Sequence, residues 1–209
     1  MVPDMICLLQ ESDKLKGMKV LLAQLSKGKD IPEYFPDVVK NVVVKSVEVK
    51  KMIYMYMVHY ADFDRTCREI ALLSINTFHR DMSDPNPFIR GMALRVLTSI
   101  RVDDVIQIQL HAIRSCAIDS SPYVRKCAAN AIPKMYYLDP TKLDNLKGLL
   151  ETLLKDNSTM VLGSTLAAFN EVCPTAFELL HTHFRKICYL LADMDEWSQV
   201  GWLVLKLIT

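Results

Sequence analysis

The segment Asp84-Pro85-Asn86-Pro87-Phe88-Ile89-Arg90-Gly91-Met92-Ala93-Leu94 returns 35 residues later as Asp119-Ser120-Ser121-Pro122-Tyr123-Val124-Arg125-Lys126-Cys127-Ala128-Ala129. A third copy opens 37 residues further on at Asp156-Asn157-Ser158-Thr159-Met160-Val161. Weaker copies flank these, Val49 to Tyr54 upstream and Asp195 to Ile208 downstream. A period of this length marks stacked supersecondary units, none of which can bury its apolar face alone. Arrays of this kind usually serve to hold other proteins.

Every copy has the same internal order. A turn of Pro, Asp, Ser or Asn leads into apolar residues at helical spacing, such as Ile89, Ala93, Leu94, Leu97 and Val124, Ala128, Ala131, Ile132. Between the copies lies another helical pattern, in Ile70 to Phe78, Val105 to Ile118, Leu143 to Leu154 and Phe177 to Ala192. The spacing predicts an all-α, HEAT/armadillo-like α-solenoid of stacked antiparallel helix pairs, with about five to six repeats. No Ser/Gly/Pro-rich linker interrupts residues 1–209, so one continuous domain is expected. Pro133 falls inside an apolar run and is expected to kink or shorten its helix.

With 51% hydrophobic residues, only 6 glycines and no Asn-Gly or Asp-Gly hairpin signal, a sheet is not expected anywhere. The net charge of +1 gives no global basic field, which argues against nucleic-acid binding. The start, Met1 to Gln10, lacks the basic region of a signal peptide, and Val200 to Ile208 is too short to span a bilayer. The expectation is a cytoplasmic protein, peripheral to any membrane it meets. Cys7, Cys67, Cys116, Cys127, Cys173 and Cys188 show no Cys-x-x-Cys pairing and read as reduced core thiols.

A catalytic constellation is not found. The chain has no glycine-rich phosphate loop, Gly-x-Ser-x-Gly elbow or His-Glu-x-x-His. His181 and His183, with Cys173 and Cys188 nearby, are the strongest metal candidates, yet residues two apart on a helix point roughly 200° apart. His59, His79 and His111 stand alone. No catalytic residue, cofactor site or metal ligand is assigned, and the chain is read as not an enzyme.

Two groups of residues are candidates for a role. Arg90 and Arg125 each follow an aspartate, Asp84 and Asp119, by six residues. This places a carboxylate at the helix-pair turn and a guanidinium in the second helix, where an Arg can bond the Asp of its own or a neighbouring unit. A structural ladder is favoured over a partner or phosphate site, because the spacing recurs with the fold. The ladder lapses at Leu162 and Gly201. The second group lies in the apolar, aromatic stretch Met52 to Tyr60, which predicts a helix covered on more than one side. Burial between repeats is the simple reading, while Tyr54 and Tyr56, with Lys50 and Lys51 beside them, are the candidate partner interface. Trp197 and Trp202 lie on what reads as a bare apolar helix at the end of the chain.

Residues from about Tyr34 to Gln199 resemble the trunk of the beta adaptins, large subunits of clathrin-adaptor type complexes. The resemblance is carried by Asp84 to Arg90, Ile100-Arg101-Val102 and Pro122 to Ala129. Phe35 to Val42, Ala71 to Phe78, and Val172-Cys173-Pro174 with Phe184 to Cys188 and Glu196-Trp197 resemble the branch of adaptor protein complex 3. The resemblance implies a non-enzymatic coat subunit whose helical trunk holds the medium subunit and pairs with a delta-type large chain, with a small chain completing the complex. It further implies cargo sorting from Golgi or endosomes to lysosome or vacuole, peripheral membrane contact and a small GTPase of the Arf type. Ser198 stands where the family usually has glycine, and the family's hinge and appendage are absent, so a trunk fragment is expected. The alternative is another HEAT-repeat scaffold, such as a nuclear transport receptor or phosphatase scaffold.

Overall fold

The computed structural model describes residues 11–208, with side chains as far as Leu203. Among the described residues there are thirteen α-helices and no strand. The helices fall into two compact units that divide after Val102.

The first unit holds α1 (Glu11–Ser26), α2 (Phe35–Lys40), α3 (Val47–Tyr60), α4 (Arg65–Leu73), α5 (Ile75–Asp81) and α6 (Pro87–Leu97). Helix α3 packs between α1 and α6, while α2 packs on α3 and α4, and α5 packs on α6. One row is thus made of second helices, with first helices against it. Phe35, Tyr54, Tyr56, Tyr60 and Phe78 fill the core at no more than 1% exposure.

The second unit holds α7 (Ile106–Ala117), α8 (Pro122–Leu138), α9 (Leu143–Leu154), α10 (Thr159–Val172), α11 (Phe177–His181), α12 (Phe184–Leu190) and α13 (Glu196–Ile208). Helices α8, α10 and α13 pack in sequence, and α7 and α9 pack against α8. Ile132, Leu150, Leu162 and Phe169 are fully buried.

The turns follow from local chemistry. The carboxylates of Asp84, Asp119 and Asp156 accept the backbone N–H two residues on, from Asn86, Ser121 and Ser158, at 2.8–2.9 Å. This closes an Asx turn before each second helix. Pro87 and Pro122 then occupy the first helical position, where a missing N–H costs nothing.

Three expectations about elements need correction. The run Ile70 to Phe78 is two helices, because Ser74 (φ −90°, ψ −1°) ends α4 and starts α5. The run Phe177 to Ala192 is likewise broken between His181 and Phe184. Helix α8 continues through Pro133 to Leu138, so of the expected kink or shortening the shortening does not occur. Ile132 and Met135 on either side are buried and hold it, although the Ala129 carbonyl loses its usual helical donor.

Candidate functional site

Arg125 ties its own turn to the turn of the next repeat. Its Nη1 donates to the backbone carbonyls of Asp119 (2.7 Å) and Ser120 (3.0 Å), in the turn before its own helix. Its Nε and Nη2 face the carboxylate of Asp156, the latter at 3.1 Å, making a bidentate pair that ties α8 to the turn before α10. Arg90 makes the same backward contacts, its Nη1 donating to the carbonyls of Asp84 (2.8 Å) and Pro85 (3.1 Å). Within its own unit each arginine therefore grips the carbonyls of the turn, while the Asp84 and Asp119 carboxylates close that turn.

Burial alone would raise the Asp156 carboxyl, but hydrogen bonds from Arg125 and the Ser158 N–H outweigh it and hold the group below the usual carboxylate range. The Asp156 bond in turn raises Arg125 above its ordinary value.

The partner-interface expectation is overturned for three of its four residues. Lys50, Tyr54 and Tyr56 are 7%, 1% and 0% exposed, so no partner can reach them in this fold. Lys50 Nζ donates to Asp81 Oδ2 at 2.7 Å, and the Tyr54 hydroxyl donates to the same oxygen. The Tyr56 hydroxyl donates to the Ile31 carbonyl, and the Ile31 N–H donates to the Tyr60 hydroxyl at 2.9 Å. Each buried polar tip has an internal partner, which is why a helix this aromatic can sit inside. Burial, then the neighbouring Asp81, push the Tyr54 phenol far above its ordinary value, so it stays a donor. Of the four, only Lys51 is exposed.

Asp81 escaped the sequence reading. A signal existed: Lys50 occupies the register position of Arg90 and Arg125, and it meets its acid 31 residues on, as Arg125 meets Asp156. Asp81 lies three residues before the motif aspartate Asp84, outside the repeat pattern.

Where Leu162 replaces the ladder arginine, the junction of α10 with α13 is made differently. A Cβ on Gly163 would come within 2.1 Å of Ser198 Oγ, so the two helices approach through the missing side chain. Ser198 Oγ donates to Asp195 Oδ2 at 2.9 Å, and Asn170 Nδ2 donates to the Gly201 carbonyl at 3.1 Å. Trp202 is 2% exposed against Phe184, with ring centroids 5.6 Å apart, whereas Trp197 is 85% exposed. Only one of the two tryptophans is therefore bare.

His181 ends α11 and His183 stands in the turn before α12, so the two do not share one helix. Desolvation and the nearby Lys186 and Lys155 lower the His183 imidazole below its ordinary value, the opposite of what a nearby acid would do. Cys67 Sγ is pushed up to about 11 by burial and by Asp64, whose carboxylate caps α4 through the Cys67 N–H at 2.6 Å. No helix among the described residues is long and apolar enough to cross a membrane.

The register, the Asx turns and the inter-repeat ties together define a stacked helical-repeat array. Residues 8–209 match the adaptin N terminal region, and the chain belongs to the adaptin family. It is 55% identical over 199 residues to the AP-3 complex subunit beta of Dictyostelium discoideum, covering 95% of this chain and 18% of that protein. It is 50% identical over 191 residues to human AP-3 complex subunit beta-1, covering 91% and 17%. Against the rat AP-1 complex subunit beta-1 the identity is 31% over 199 residues, covering 91% and 20%. The chain thus spans about a fifth of the length of these relatives. A homology model of the full-length AP-3 complex in an intermediate open conformation superposes with a TM-score of 0.70 at 29% identity, covering 98% of this chain and 33% of that one. The crystal structure of an engineered protein shares the fold at a TM-score of 0.60 and 14% identity, covering 96% and 92%.

Proposed function

We propose that this chain works as trunk of a beta-type large subunit in an adaptor complex of the AP-3 kind. The observation that carries the reading is the difference in identity, 55% to an AP-3 beta subunit over 95% of the chain against 31% to an AP-1 beta subunit over 91% of it. In this reading the trunk is a non-enzymatic scaffold that forms one continuous array. Its partners are a delta-type large chain, a medium chain and a small chain. The assembled coat lies peripherally on Golgi or endosomal vesicles, sorts cargo toward lysosome or vacuole, and responds to a GTPase of the Arf type. Exposed Lys51 is a surface contact. The pairs Arg125–Asp156 and Lys50–Asp81 are structural, since both join helices of the chain itself.

The test is affinity purification of the tagged chain co-expressed with the AP-3 delta, medium and small chains, a full-length beta subunit alongside. Recovery of those chains is expected. Recovery with neither form, or capture of nuclear-transport or phosphatase proteins instead, would overturn the reading.

A further inference from the structure

The first-helix row of the second unit carries a groove with one polar and one apolar end. Helices α7 and α9 are first helices of successive pairs and pack directly on each other. The groove between them holds about 400 Å³ and runs along α9 from Asp144 to Thr152, about 12 Å of helix. At the polar end Arg114 Nη2 donates to Asn145 Oδ1 at 2.6 Å, and Asp144 lines the same end. Among the described residues no carboxylate pairs with Arg114, so the rest of its guanidinium fork is open to a ligand. At the apolar end Ile118, 74% exposed, stands one helical turn beyond Arg114, and Leu149 one turn beyond Asn145.

Gly148 lies in the wall of this groove. Glycine inside a helix is costly, and nothing within the chain requires one here. Its φ is not positive, and a Cβ there would meet nothing within 4 Å. The missing side chain leaves room for another backbone to come close. A helix, about 10 Å across, would ride above two touching helices, whereas an extended chain reaches between them. In an extended chain every second side chain falls on one face, about 6–7 Å apart, which matches the roughly 6 Å step from Arg114 to Ile118. We propose that the groove between α7 and α9 binds a short extended peptide of a partner protein, with an acidic side chain on Arg114 and, two residues away, a large aliphatic side chain against Ile118 and Leu149. Its backbone passes over Gly148, and its N–H groups face Asp144. Arg114 and Asp144 together select a peptide, which carries both a carboxylate and N–H donors, over a bare anion. The site goes beyond the adaptor reading and does not depend on it.

Fluorescence anisotropy of labelled pentapeptides titrated with the full 209-residue chain tests the proposal. Leu-Ala-Glu-Ala-Leu offers the aliphatic residue on either side of the acid, while Leu-Ala-Lys-Ala-Leu and Ala-Ala-Glu-Ala-Ala each lack one element. The first should bind at least about tenfold tighter than either of the others. Arg114→Glu should reverse the order of the Glu and Lys peptides. Gly148→Leu should abolish binding while the melting temperature of the chain holds or rises by about 2–4 °C. Equal binding of the three peptides, no binding of the first, or binding that either variant leaves intact overturns the proposal. A lower melting temperature for Gly148→Leu also overturns it, since the glycine would then serve packing. Circular dichroism checks that each variant is folded. No partner subunit enters the titration, so failure here leaves the adaptor reading untouched.

Discussion

Asp81 has 5% of its side chain exposed and holds both Lys50 and Tyr54, so removing it strands an ammonium and a hydroxyl inside the first unit. Asp81→Ala should cost about 3–5 kcal/mol in urea unfolding, and Lys50→Met with Asp81→Leu and Tyr54→Phe should recover most of it, because an apolar trio needs no compensation. Arg125 is more accessible, with 20% of its side chain exposed, and Arg125→Ala should cost about 2 kcal/mol. The same pair sets a dependence on acid. The Asp156 carboxyl is held below its ordinary value of 3.8, so its contribution is present above that value and is lost as pH falls through the depressed folded value. Stability measured from about pH 5 to pH 2 should therefore fall, and Asp156→Asn should lower the neutral-pH value while flattening that part of the slope. The motif aspartates and arginines were legible in the sequence because they recur. Asp81 was not, since its partner is 31 residues away and the pairing exists only once α3 and α5 are packed.

Between elements, α10 and α13 approach closely at Gly163. Gly163→Ala should destabilise by about 1–3 kcal/mol, because the new methyl would meet Ser198 Oγ at 2.1 Å and Cβ at 2.7 Å. Ser198→Gly should relieve most of that cost, and thermal unfolding of both single variants and the double variant measures the coupling. An additive double variant would show that the two helices separate without consequence. The serine at 198 stood out in the sequence as a departure from the family pattern, but its neighbour did not, since Gly163 sits 35 residues away on another helix. The interruption at Ser74 was hidden for a related reason. The apolar period runs straight through Ile70 to Phe78, and nothing local announces that the chain bends there.

Across the molecule, cooperativity should follow packing neighbours, as nearest-neighbour contacts dominate in repeat arrays. Amide hydrogen exchange should speed up in α3, α5 and α6 for Asp81→Ala, and in α8 and α10 for Arg125→Ala; uniform loss across all helices would contradict this. The helix pairs, their register and the turn that opens each second helix were set by the sequence itself. Apolar period, Asx turns and proline at the first helical position act over a few residues and need no distant partner. Burial is a different matter, because the period says only that a face is apolar, and distant helices decide whether it is covered. For Lys50, Tyr54 and Tyr56 the sequence left both burial and a partner surface open, and they are inside, held by Asp81 and Ile31, while Trp197 is exposed and Trp202 is enclosed. Those outcomes belong to the tertiary structure, since the groups that satisfy a buried lysine or tyrosine arrive from other helices and loops.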